Sequence, residues 1–90
     1  MNMEFDSGKP IFLQISDWLG DAILTGTFPE ESQIPSITEI SVRYKINPAT
    51  ALKGIDILVG DGTVYKKRGI GMFVSTGARE KLLKKRIWTV

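Results

Sequence analysis

The chain contains neither cysteine nor histidine. Without cysteine there is no disulfide framework and no thiolate metal site, which is compatible with a reducing cytoplasm. Without histidine the commonest general base and the commonest metal ligand are both missing, so catalysis is not expected. No cluster of convergent polar groups points to an enzyme, and no metal or cofactor is implied. No apolar run reaches the ~18 residues of a membrane span. The opening Met1-Asn2-Met3-Glu4-Phe5-Asp6 is acidic and lacks a signal-peptide pattern. Internal repeats and low-complexity stretches are absent as well. A cytoplasmic protein is the expectation.

Ninety residues bound a single domain with a modest core, near the size at which oligomerisation often supplies missing burial. The formal net charge of +2 hides a strong asymmetry. Residues 1–42 hold one cation, Lys9, against seven acids, a net charge of −6. Residues 43–90 hold eleven cations against three acids, a net charge of +8. Such a separation points to an anion-facing surface in the second half. A solvated lysine-rich tail would account for the C-terminal cations but not for those in the preceding loop.

Residues 1–9 show little periodicity and read as an N-terminal arm. Pro10 suits a helix start, and Ile11, Ile15, Trp18, Leu19, Ala22 and Ile23 then recur at helical spacing. This first helix runs to about Leu24, with Gly26 as its stop. A turn containing Pro29 leads to Ile34. Ser36 then stands three residues before Glu39, the spacing of a capping box, and opens a short second helix ending near Lys45. Asn47 caps a third helix with Pro48 at its first position; Ala51, Ile55 and Leu58 form its buried face.

Beyond Gly60 and Gly62, two β-prone runs, Thr63-Val64-Tyr65 and Met72-Phe73-Val74, flank a basic loop with Lys66, Lys67, Arg68, Gly69 and Gly71. The glycines permit positive φ and close approach of the backbone to another surface. From Ala78 onward a basic segment carries Leu82, Leu83 and Ile87 at helical spacing. Trp18, Tyr44, Tyr65 and Phe73 read as core aromatics.

Two helices joined by a short turn, the second followed by a β-hairpin, describe a winged helix-turn-helix. The fold class is mainly α with a small β-hairpin: a three-helix core plus wing over residues 10–76. A C-terminal basic helix follows over residues 77–90. It is expected to serve dimerisation rather than to lie on a membrane surface.

The residues also resemble the N-terminal DNA-binding domain of the GntR family of bacterial transcription regulators. Pro10-Ile11-Phe12-Leu13-Gln14-Ile15 is similar to that family's opening "PIYxQI". Ile34-Pro35-Ser36, with Glu39 and Ile40, is similar to its "LPSxxEL" element. Asn47-Pro48-Ala49-Thr50 and the wing Lys67-Arg68-Gly69-Ile70-Gly71-Met72-Phe73-Val74 complete the likeness. The "NPxT" form is especially like the YtrA-type subfamily, and the resemblance covers about residues 10–75. The chain departs from the pattern at Thr38 and Pro48, where many members carry an arginine expected to contact DNA. It departs again at Leu52, where a polar residue is more usual, and at Met72, where a small threonine is. The family's large effector domain has no counterpart in these residues, so the chain reads as a very short or a truncated member.

In a winged helix-turn-helix the N-terminal part of the third helix reaches base edges in the major groove. That nominates Asn47, Ala49, Thr50 and Lys53, although for Asn47 simple N-capping is the favoured role. Thr50 could meet a phosphate or a thymine methyl, and Lys53 a guanine or a phosphate. Ser36 and Thr38 could donate to a phosphate at the second helix's N-terminus, or simply cap it. In the wing, Lys66, Lys67 and Arg68 with Gly69 and Gly71 would meet the DNA backbone, and Arg68 could enter a narrow minor groove.

The implied function is a transcriptional regulator, a repressor in the leading reading, binding a pseudo-palindromic double-stranded DNA operator as a homodimer. The alternative is a winged-helix protein-interaction module whose basic wing docks on an acidic partner. No effector is indicated.

Overall fold

The structure is a computed structural model that describes residues 8–88. The first seven residues of the expected arm and the packing of Ile87 lie outside the described residues. The element order is α1 (Ile11–Leu24), α2 (Ile37–Tyr44), α3 (Pro48–Gly60), β1 (Val64–Lys67), β2 (Gly71–Val74) and α4 (Ala78–Trp88). Among the described residues no helix is long and apolar enough to cross a membrane.

Each helix begins where the local chemistry supplies a partner for its orphan N–H groups. Pro10 precedes α1, and its carbonyl accepts from Leu13 N and Gln14 N. Ser36 and Glu39 form a reciprocal capping box: Glu39 N donates to Ser36 Oγ at 3.0 Å, and Ser36 N to Glu39 Oε1 at 3.3 Å. Asn47 caps α3 by accepting from Ala49 N at 2.8 Å, and Pro48 follows at the first helical position. Between α2 and α3 the chain reverses through Lys45, whose φ of 53° is left-handed, and Ile46 N closes the turn on Ser41 O.

The apolar stripes of the three helices converge. Ile15, Leu19 and Ile23 from α1 meet Ile40 from α2 and Ala51, Ile55 and Leu58 from α3, all essentially excluded from solvent. Each fully buried isoleucine or leucine here stabilises the fold by about 1.5–3 kcal/mol. Val64 and Val74, paired across the hairpin, close the core beneath the wing. Leu82 is buried in this same core, so that part of the expected dimer stripe is engaged within the chain; Leu83 remains exposed.

At Gly54 the helices α1 and α3 approach closely. A Cβ placed there would lie 2.8 Å from Phe12 O and 2.9 Å from Ile15 Cγ2. Glycine lets the backbones of α1 and α3 touch, which fixes where α3 stands.

The strands reach farther into the basic loop than the β-prone runs indicated. Register pairs Lys66 with Met72 and Lys67 with Gly71, so both lysines are strand residues. The turn itself is confined to Arg68, Gly69 and Ile70. Two aromatics also depart from expectation. Trp18 and Tyr44 pack against the core, whereas Tyr65 and Phe73 stack on each other, centroids 6.0 Å apart, outside the core cluster. The alternation of a strand explains this: Val64 and Val74 take the inner face, so their neighbours must face outward.

Candidate nucleic-acid interface

The wing is held from below by the segment between α1 and α2, which the sequence presented only as a turn. Residues 31–34 run antiparallel beside β2. Glu31 N donates to Val74 O, Val74 N to Ser32 O, and Ile34 N to Met72 O, at 2.7, 2.9 and 2.9 Å. Side chains extend the same junction. Gln33 Nε2 reaches the carbonyl of Ile70 in the turn at 3.1 Å. The Glu31 carboxylate accepts from Thr76 Oγ1 and from Tyr65 Oη, each at 2.6 Å. Those two bonds, that from Thr76 first, hold the Glu31 carboxyl below its ordinary range, and the carboxylate in turn pushes the Tyr65 phenol up.

On that support the hairpin ends in a tight turn. Ile70 N donates to Lys67 O at 3.0 Å, and Gly69 sits at the third turn position with φ 79°. A positive φ at this position disfavours a side chain. Arg68 and Ile70 therefore stand at an exposed tip, Ile70 with 65 % of its surface open. Lys67 folds over the outward aromatic pair, Nζ 4.6 Å from the Phe73 centroid and 5.9 Å from that of Tyr65. Its stem is thus partly ordered while its charge stays in water. Lys66 and Arg68 are exposed, and none of these three cations forms an ion pair among the described residues.

The nominated residues on α2 and α3 differ in how free they are. Ser36 is exposed, but its oxygen already accepts from Glu39 N. Thr38 is exposed on α2, and its carbonyl accepts from Ser41 Oγ. Asn47 uses its carbonyl as the cap of α3, which leaves its amide N–H groups for another acceptor. Ala49 is exposed and Thr50 half-buried. Lys53 is exposed, yet its Nζ lies 4.2 Å from the Phe12 centroid and so leans back toward α1.

Four participants were not singled out from the sequence: Glu31 and Gln33 beneath the wing, Phe12 under Lys53, and Ile70 at the tip. Only Ile70 left a linear signal, as an apolar residue between two glycines.

The model of the gntR family of bacterial regulatory proteins matches residues 12–74. Among curated proteins, the HTH-type transcriptional regulator YhcF of Bacillus subtilis is 31% identical over 78 residues, 87% of this chain and 64% of its own length. The HTH-type transcriptional repressor NagR of the same organism is 31% identical over 92% of this chain and 34% of its own. The chain thus spans about one to two thirds of the length of these relatives. Among solved structures, a GntR family transcriptional regulator from Listeria monocytogenes superposes with a TM-score of 0.86. It has 26% identity and covers 94% of this chain and 76% of its own. The DNA-binding domain of AraR, solved with its operator ORR3, gives a TM-score of 0.72 at 27% identity, covering 83% and 88%.

Proposed function

Since this chain belongs to the gntR family of bacterial regulatory proteins, we propose that it binds a specific duplex sequence as a homodimer and represses transcription by occluding a promoter. The N-terminal turns of α3 enter the major groove, and the wing follows the flanking backbone. Asn47, Ala49 and Thr50 form the groove-facing set, and Lys53 beside them meets the phosphate backbone. Ser36 and Thr38 meet phosphate at the start of α2. Lys66, Lys67 and Arg68 approach DNA over the glycines Gly69 and Gly71.

The observation that carries this reading is the wing: three exposed cations that form no ion pair among the described residues, projected on a turn braced by Gln33 and Glu31. A polyanion is the partner that such a surface fits, and binding releases counterions from it. The likeness to a domain solved on its operator supports duplex DNA as that polyanion. Dimers of such domains present two recognition helices to half-sites about one helical turn apart, which makes the operator pseudo-palindromic.

Selection from a randomised duplex library at near-physiological salt tests the proposal, with the mass of the protein in solution measured alongside. The expected result is an inverted repeat recovered by a dimer. Folded, dimeric protein that enriches no sequence would overturn it and favour docking on an acidic protein instead.

A further inference from the structure

Leu52 lies in the second turn of α3 and leaves 40 % of its surface in water. Its direction follows from helix geometry. Successive residues are separated by about 100° around the axis, and Gly54 marks the side of α3 that touches α1. Leu52, two positions earlier, therefore points about 160° away from α1, and Ala49 about 140° away. Lys53 lies between these directions and Gly54, with its ammonium over Phe12. The part of α3 that projects farthest from α1 in its first two turns is thus apolar: the methyl of Ala49 and the isobutyl group of Leu52. Ala49 is exposed, and Leu52 keeps 40 % of its surface in water.

In the major groove one base presents an apolar group, thymine with its 5-methyl. Cytosine carries only hydrogen at C5, so it offers a leucine no methyl there, and its N4–H donor, where thymine has O4, finds no partner on a leucine. We infer that Leu52, backed by Ala49, packs on a thymine methyl and selects thymine over cytosine at one position of each half-site. This rests on the operator-binding reading and deepens it, because it names a determinant of sequence and the base it prefers. It also separates two roles on one helix. Leu52 discriminates between bases, while Lys53, leaning toward α1, meets the phosphate backbone.

The test removes the methyl alone. In the operator recovered by selection, each thymine is replaced in turn by deoxyuridine, and affinities are measured for the natural chain and for Leu52→Ala. Burying one methyl-sized apolar group corresponds to about fourfold in affinity. Loss from both half-sites of a dimer site should therefore cost on the order of tenfold. The expected pattern is one symmetry-related pair of thymines at which uracil weakens the natural chain but leaves L52A unchanged. Leu52 is exposed, so the variant should keep the melting temperature of the natural chain, which a thermal scan verifies. If L52A keeps the full uracil sensitivity, or no position is sensitive in the natural chain, the leucine contact is overturned while operator binding stands. If the natural chain selects no sequence at all, the operator reading itself falls.

Discussion

Replacing Gly54 with alanine should weaken the joint between α1 and α3, and its cost follows from two opposing effects. Alanine favours a helix interior over glycine by about 0.8–1.0 kcal/mol. Against that, the new Cβ would meet Phe12 O at 2.8 Å, Ile15 Cγ2 at 2.9 Å and Ile15 Cβ at 3.0 Å. Overpacking of this kind costs about 1–3 kcal/mol, and the upper part applies here because a backbone carbonyl cannot rotate away. The net loss is about 1–2 kcal/mol, which for a domain of this size lowers the melting temperature by roughly 5–15 °C. Gly60, at the end of the same helix, supplies the control, because a Cβ there meets nothing within 4 Å. Gly60→Ala should leave stability unchanged or raise it by up to about 1 kcal/mol. Thermal unfolding followed by circular dichroism measures both. A Gly54→Ala variant that melts at or above the natural temperature would refute the argument, since α1 and α3 would then have room to spare.

Thr63 is fully buried, and its hydroxyl has no hydrogen-bond partner among the described residues. Thr63→Val removes that orphan at nearly constant shape and should stabilise the domain by about 1–2 kcal/mol, read as a higher denaturation midpoint. Lys53→Ala should weaken operator and random DNA by a similar factor and reduce the salt slope by about one per protomer, the mark of a phosphate contact. Relaxed preference at a single base pair would contradict it. Arg68→Ala should abolish any preference for A·T-rich flanks in the selection experiment while leaving the core half-site intact. Glu31 is held below its ordinary value near 4.5, so its contribution is complete above that value and is lost as pH falls through the lowered one. Tyr65, pushed above 10.0, contributes fully below that value and loses its proton only at higher pH. Amide resonances of Lys66 to Gly71 should therefore shift on acidification in the natural chain, and Glu31→Gln should not show that transition.

Most of the fold was legible because its signals are local and redundant. Ser36 with Glu39, and Asn47 before Pro48, announce helix starts that side-chain oxygens then cap as expected. Ala51, Ile55 and Leu58 recur at the helical period and are buried together. The β-prone runs stop short of the strand ends because Lys66 and Lys67 have poor strand propensity. Here pairing with Met72 and Gly71 overrides propensity, since edge positions tolerate lysine readily. The aromatic error has a similar origin. Hydrophobicity says that Tyr65 and Phe73 prefer burial, but only register decides which face of a two-stranded hairpin they occupy.

The interface was less legible, because its properties depend on which distant group each side chain meets. Glu31 adds to the acidic tally of the first half of the sequence, yet its carboxylate accepts two hydroxyl donors and braces the basic wing. Likewise Lys53 counts as one more cation, but Phe12, forty-one positions away in the chain, turns it from the outermost edge of α3. Once that lysine is turned aside, the exposed Leu52 becomes the more prominent feature of the helix surface. A net charge of +8 in the second half thus speaks to attraction toward a polyanion. It says nothing of which base is chosen, and on this helix the choice falls to an uncharged side chain.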